Sequence, residues 1–136
     1  MSKTEIQIER DFYLIVKRSS LGKNIHGEVY RRGQRPDNAK TEDIVVKYLG
    51  GIDEQVQTGT VVINVYVPYI TYQDGRRGEN LNRIGELQEL GNALVSECED
   101  TDYYITKETT PQTYQMDEIE QSIIAIRLKF QRLNQE

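Results

Sequence analysis

One histidine, His26, and one cysteine, Cys98, are all the chain offers of the two residue types most used in catalysis and transition-metal binding. An internal disulfide and a structural zinc with its usual nitrogen and sulfur ligands therefore have no residues to build them. As a general base His26 needs a partner and a pocket. It sits between Ile25 and Gly27 on a short extended segment and reads as a structural histidine. The stretch Gly22–Gly27 (GKNIHG) has glycine and lysine but lacks phosphate-loop spacing and the terminal Lys-Ser/Thr pair. Glu97, Glu99, Asp100 and Asp102 gather negative charge, yet without the alternating ligands and glycine of a calcium loop, and they read as a solvated helix end. Cys98 falls on the apolar line of a helix and reads as a small buried hydrophobe. No catalytic, cofactor-binding or metal-binding residue is assigned, and the expectation is a binding module rather than an enzyme.

What the residue types do favour is contact. Nine tyrosines are present, and Tyr66, Tyr69, Tyr72, Tyr103 and Tyr104 fall on or beside predicted strands. Tyrosine joins a large apolar area to a polar tip and is enriched at protein interfaces. The clustered cations are Arg31, Arg32 and Arg35 in one loop and Arg76 and Arg77 in another.

The elements that must hold these residues follow from periodicity. Ser2 with Glu5 reads as a capping box, and Ile8, Phe12, Ile15 and Val16 recur at helical spacing, so a helix is expected from Lys3 to Arg18, ending near Ser19–Gly22. Ile25–Tyr30 reads as a short strand and Arg31–Thr41 as a loop of Gly, Pro, Asp and Asn, long enough to suspect a role. Asp43–Leu49 and Thr60–Ile70 are rich in β-branched and aromatic residues. They read as a hairpin joined by a polar link from Gly50 to Gly59. Thr71–Gly78 reads as a turn-rich loop. From Glu79 the pattern becomes helical, with Leu81, Ile84, Leu87 or Gln88, Leu94, Val95 and Cys98 at three- and four-residue steps. Gly85 and Gly91 inside it each cost about 1 kcal/mol relative to alanine, which points to a close approach along that side. Tyr103–Lys107, Pro111–Met116 and Ile123–Phe130 complete the set as extended segments. The order α-β-β-β-α-β-β predicts an α+β fold, with two helices packed on one face of a mostly antiparallel sheet. The expected core joins Ile8, Phe12, Ile15, Ile84, Leu87 and Leu94 to Val45, Ile63, Val65, Ile126 and Leu128.

The length, 136 residues, fits a single domain over 1–136. No apolar run is long enough to span a membrane, and Met1–Asp11 is too polar for a signal peptide, so a cytoplasmic protein is expected. Net charge is −5 and unevenly placed. Residues 1–78 hold 12 basic and 10 acidic side chains, residues 79–120 hold 2 and 11, and residues 121–136 hold 3 and 1. An acidic region on one side and a mildly basic one on the other suits binding to a copy or a neighbour. A pI of about 5.0 argues against nonspecific nucleic-acid binding.

At Glu28–Asp37 (EVYRRGQRPD), Glu42–Val46 (EDIVV) and Val61–Val67 (VVINVYV) the chain resembles the tail-terminator, or tail-completion, proteins of long-tailed bacteriophages and prophages. The likeness covers most of the chain through its element order: an N-terminal helix, a short strand, an arginine-proline loop, a long hairpin, a second helix and closing strands. Related neck and head-closure subunits share similar folds. The resemblance implies a structural protein that caps the tail tube as a ring, usually a hexamer, and joins it to the head–neck region. Tail-tube and neck proteins would be its partners, and the host cytoplasm and then the virion its location. A ring built head to tail needs two different complementary surfaces. The expected ones are Arg31, Arg32, Arg35, Arg76 and Arg77 on one side and Glu86, Glu97 and Glu99 on the other. The rival expectation is a small nucleic-acid-binding adaptor using the arginines with stacking tyrosines.

Overall fold

The computed structural model describes residues 2–98 and 101–134. Helix α1 runs over Glu5–Arg18. Its reciprocal cap is formed by Thr4 and Gln7, with the Gln7 amide donating to Thr4 Oγ1 (3.2 Å) and the Thr4 amide to Gln7 Oε1 (2.9 Å). The cap expected at Ser2 and Glu5 slides two residues because the backbone of Lys3 is already engaged. Its N–H donates to Gln57 Oε1, and its carbonyl accepts from Gln57 Nε2. Ser19 ends α1 by donating to the Val16 carbonyl and starts a second short helix, α2 (Ser20–Asn24), by accepting from Gly22. A helical turn thus stands where a plain helix stop was expected.

The strands are β1 (Val29–Arg31), β2 (Asp43–Ile52), β3 (Val56–Pro68), β4 (Ile70–Thr71) and β5 (Arg77–Gly78) before helix α3 (Leu81–Ala93). After it come β6 (Tyr104–Lys107), β7 (Gln112–Met116) and β8 (Gln121–Leu133). The main sheet runs β1-β2-β3-β8, and β6 and β7 share the outer side of β8. All its pairings are antiparallel except β1 with β2. This is the expected α+β class. A parallel pair cannot be closed by a tight turn, so the loop between β1 and β2 owes its length to topology.

Two expected loops contain strand. Gly50–Gly59 is mostly the tip of the β2–β3 hairpin, with a bulge between Tyr48 and Gly50 and a short turn at 53–55. Pairing with β8, which reaches Val56 opposite Leu133, keeps this polar stretch extended. The ends of Thr71–Gly78 pair as the small β4–β5 hairpin.

Alternation along the strands sorts their side chains to two faces. Ile44 and Val46, Val61 through Val67 at odd positions, and Ile124, Ile126, Leu128 and Phe130 face the helices. Against them pack Ile8, Phe12 and Val16 from α1 and Ile84, Leu87 and Leu94. Two expected core residues differ. Ile15 is half-buried. Val45 lies opposite Asn64 and Tyr30, on the face away from the helices. Both parities of the run DIVVKYL are apolar, so alternation could not assign the face. At one end of the core Phe12, Tyr103 and Phe130 form an aromatic cluster with centroids 4.9–5.5 Å apart. Among the described residues no helix is long and apolar enough to cross a membrane.

Candidate assembly surfaces

The arginine loop is bound into its own chain. Arg31 Nε lies 3.6 Å and Arg32 Nε 3.4 Å from the carboxylate of Glu9, a residue of α1 that is 2% exposed. Arg31 also donates to the Ile6 carbonyl, and Glu9 accepts from the amide of Tyr48 beside the β2 bulge. One carboxylate therefore ties α1, β1 and β2 together. Arg35 is more deeply used. It donates to Asp43 (2.9 Å), Gln121 Oε1 (2.9 Å) and the carbonyls of Ala39 and Thr41. Its guanidinium also stacks 3.9 Å from the ring centre of Tyr66. Burial pushes the Asp43 carboxyl up, but hydrogen bonds from Thr41, the Glu28 amide and Arg35, with the charge of Arg35, hold it below the usual carboxylate value. With Nε and Nη2 engaged inside the chain and its side chain 10% exposed, Arg35 is held within its own fold rather than presented to the Glu86, Glu97 or Glu99 of a neighbour.

A second clamp went unnoticed in the sequence. Arg83 of α3 grips Glu42 through two bonds of 2.9 and 2.7 Å, and reaches the Asn24 carbonyl as well. Glu42 also accepts from the backbone amide of His26, whose imidazole is exposed, with Nδ1 3.8 Å from the same carboxylate. The one available signal was two acids, Glu42 and Asp43, directly before an apolar strand.

The other expected residues are scattered. Arg76 pairs with Asp74 inside the β4–β5 turn and Arg77 with Glu120, both on the surface. Glu86 is exposed and pairs with Arg83 at 3.2 Å. Glu97 accepts from the amide of Ser20, capping α2. Glu99 lies outside the described residues. Cys98 is buried, donates to the Leu94 carbonyl, and has its thiol pushed up to about 11 by burial, with Glu97 adding to the effect. The Tyr69 hydroxyl donates to Asp117, which together with burial raises its pKa to about 12.

The open sheet face carries cations of its own. Lys47 and Arg127 both stand opposite Val62 from its two sides, and Lys129 stands opposite Thr60, all on the sheet face away from the helices. Arg127 pairs with Glu108 at 3.6 Å, whereas Lys47 and Lys129 have no ion-pair partner among the described residues. Exposed apolar side chains share this face: Ile52, Val56, Tyr104, Tyr114 and Leu133 are 44–67% exposed. On the opposite side of the molecule α3 exposes Leu81, Gly85, Glu86 and Glu89. A two-layer sandwich with only one side of its sheet covered by helices thus has lysines and tyrosines on its open sheet face and Glu86 and Glu89 of α3 on the other side, where α1 and α2 expose the cations Arg10, Lys17, Arg18 and Lys23. No protein-family model matches the chain, and no curated protein matches it.

Proposed function

We propose that the chain is a structural subunit of a phage tail assembly. Copies stack head to tail into a ring that caps the tail tube and joins it to the head–neck region. The observation that supports this reading is the opposite charge of two outer patches, Lys47 and Lys129 on the open sheet and Glu86 and Glu89 on α3. Pairing either patch with itself brings like charges together, whereas each patch complements the other on the next copy. A heterologous contact of this kind closes into a ring when the rotation per subunit divides a full turn. The work is binding, with charge supplying register and partner choice and the exposed apolar and tyrosine side chains supplying affinity.

Measuring the mass in solution, with imaging of the particles, tests the reading. A single multimer that appears as rings without nucleic acid supports it, and a monomer at every concentration reached overturns it. A second reading, single-stranded nucleic-acid binding, draws on Tyr104 and Tyr114 standing on the same face as Lys47, Arg127 and Lys129. It requires DNA or RNA affinity that falls steeply with salt.

A further inference from the structure

The open face of the sheet contains a groove of about 370 Å3. Ile52 of β2 borders it on one side and Tyr104 of β6 on the other, with Thr58, Thr60, Lys129 and Gln131 between them. The cross-strand row Ile52, Thr58, Gln131, Tyr104 makes the groove three strand spacings wide, about 14 Å. A helix with its side chains is roughly 10–12 Å across and fits that width. The two walls are among the most exposed apolar residues of the molecule, at 61% and 67%.

Helix α3 carries a face with matching features. Leu81 is 65% exposed, and one turn later a Cβ on Gly85 would find nothing within 4 Å. Gly85 therefore weakens the helix, by roughly the propensity difference from alanine, without serving any packing inside its own chain. Glu86 and Glu89 flank that position. Resting on the assembly reading above, we infer that the groove seats α3 of a second copy. Leu81 of that copy lies between the walls and Gly85 lets the helix approach the groove floor. Its Glu86 and Glu89 stand beside Lys129 and Lys47. The sign of the charge selects this occupant: the groove side holds Lys47 and Lys129, with no ion-pair partner among the described residues, and α3 is the acidic helix.

Self-association measured by sedimentation, together with thermal unfolding of each variant, tests the contact. Lys47→Glu and Glu89→Lys each weaken association by about tenfold or more, since each sets like charges against one another. The double variant restores it, because the pair is then reversed as a whole. Gly85→Gln raises the melting temperature of the dissociated subunit while weakening association, a combination that a purely structural role does not produce. If all three single variants assemble as the wild type does at the same concentration and salt, the contact is overturned while the ring reading stands. If the wild type is itself monomeric, both fall. If the single variants change DNA binding and leave assembly untouched, the face belongs to nucleic acid and the contact is likewise overturned.

Discussion

A Cβ built on Gly91 of α3 would sit 2.6 Å from Cδ1 of Ile126 on β8, so a methyl group at this glycine requires the buried end of the Ile126 side chain to shift. Gly91→Ala therefore overpacks the core by an amount that exceeds its gain in helix propensity, and a net loss of about 1 kcal/mol is expected. Ile126→Val removes the atom in the way, so the double variant is more stable than the two single effects summed predict. Denaturant midpoints of the four proteins in the cycle measure this.

Arg83 and Glu42 form a nearly enclosed pair, with side chains 12% and 5% exposed. Arg83→Met strands a buried carboxylate and is expected to cost ~3–5 kcal/mol. Replacing both residues, Arg83→Met with Glu42→Leu, recovers most of that loss, because neither charge then has to be desolvated. Chemical denaturation of the single and double variants distinguishes the two outcomes.

Asp43 makes stability depend on acid. Its folded-state pKa is lowered, so the folded protein releases this proton more readily than the unfolded chain. The stabilisation is complete above the unfolded value of about 4 and is lost as pH falls through the lower folded value. Asp43→Asn is expected to lower stability at neutral pH and to flatten the decline below about pH 4, as read from melting temperatures across an acid series. For the same reason Arg35→Glu is expected to destabilise the folded chain, since it sets two carboxylates together on one buried site. Charge reversal of the whole arginine loop therefore tests the fold before it tests assembly.

Cys98 is 3% exposed with its thiol pushed up to about 11. At pH 8 the folded protein is expected to react with a thiol-specific reagent only as fast as it opens, and the denatured protein at the rate of a free thiol. Rapid labelling of the native protein contradicts the burial.

The course of the strands and helices was readable because hydrophobic period carries it. Ile8, Phe12 and Val16 repeat as a helix must, and Val61 to Val67 alternate as a half-buried strand must. Polarity was a poorer guide at Gly50–Gly59, where an exposed hairpin tip has the composition of a loop and only pairing with β8 keeps it extended. Most of what concerns the arginines was out of reach. Arg31, Arg32 and Arg35 look like free cations in a loop, and nothing in their local spacing shows that Glu9, Asp43 and Gln121 converge on them from three other elements.

By itself the sequence determined the class of fold, the helical and extended stretches and most of the core, because each of these depends on neighbours a few residues apart. Tertiary structure decided which face Val45 takes, that β1 runs parallel to β2, and which charges remain for a partner. Those outcomes depend on groups brought together across tens of residues, such as Glu42 with Arg83 and Arg35 with Gln121. With Arg35 and Arg83 claimed by buried acids, the open sheet keeps Lys47 and Lys129 as cations with no ion-pair partner among the described residues. No local pattern in the chain marks those two lysines, because only strand register sets them on one face.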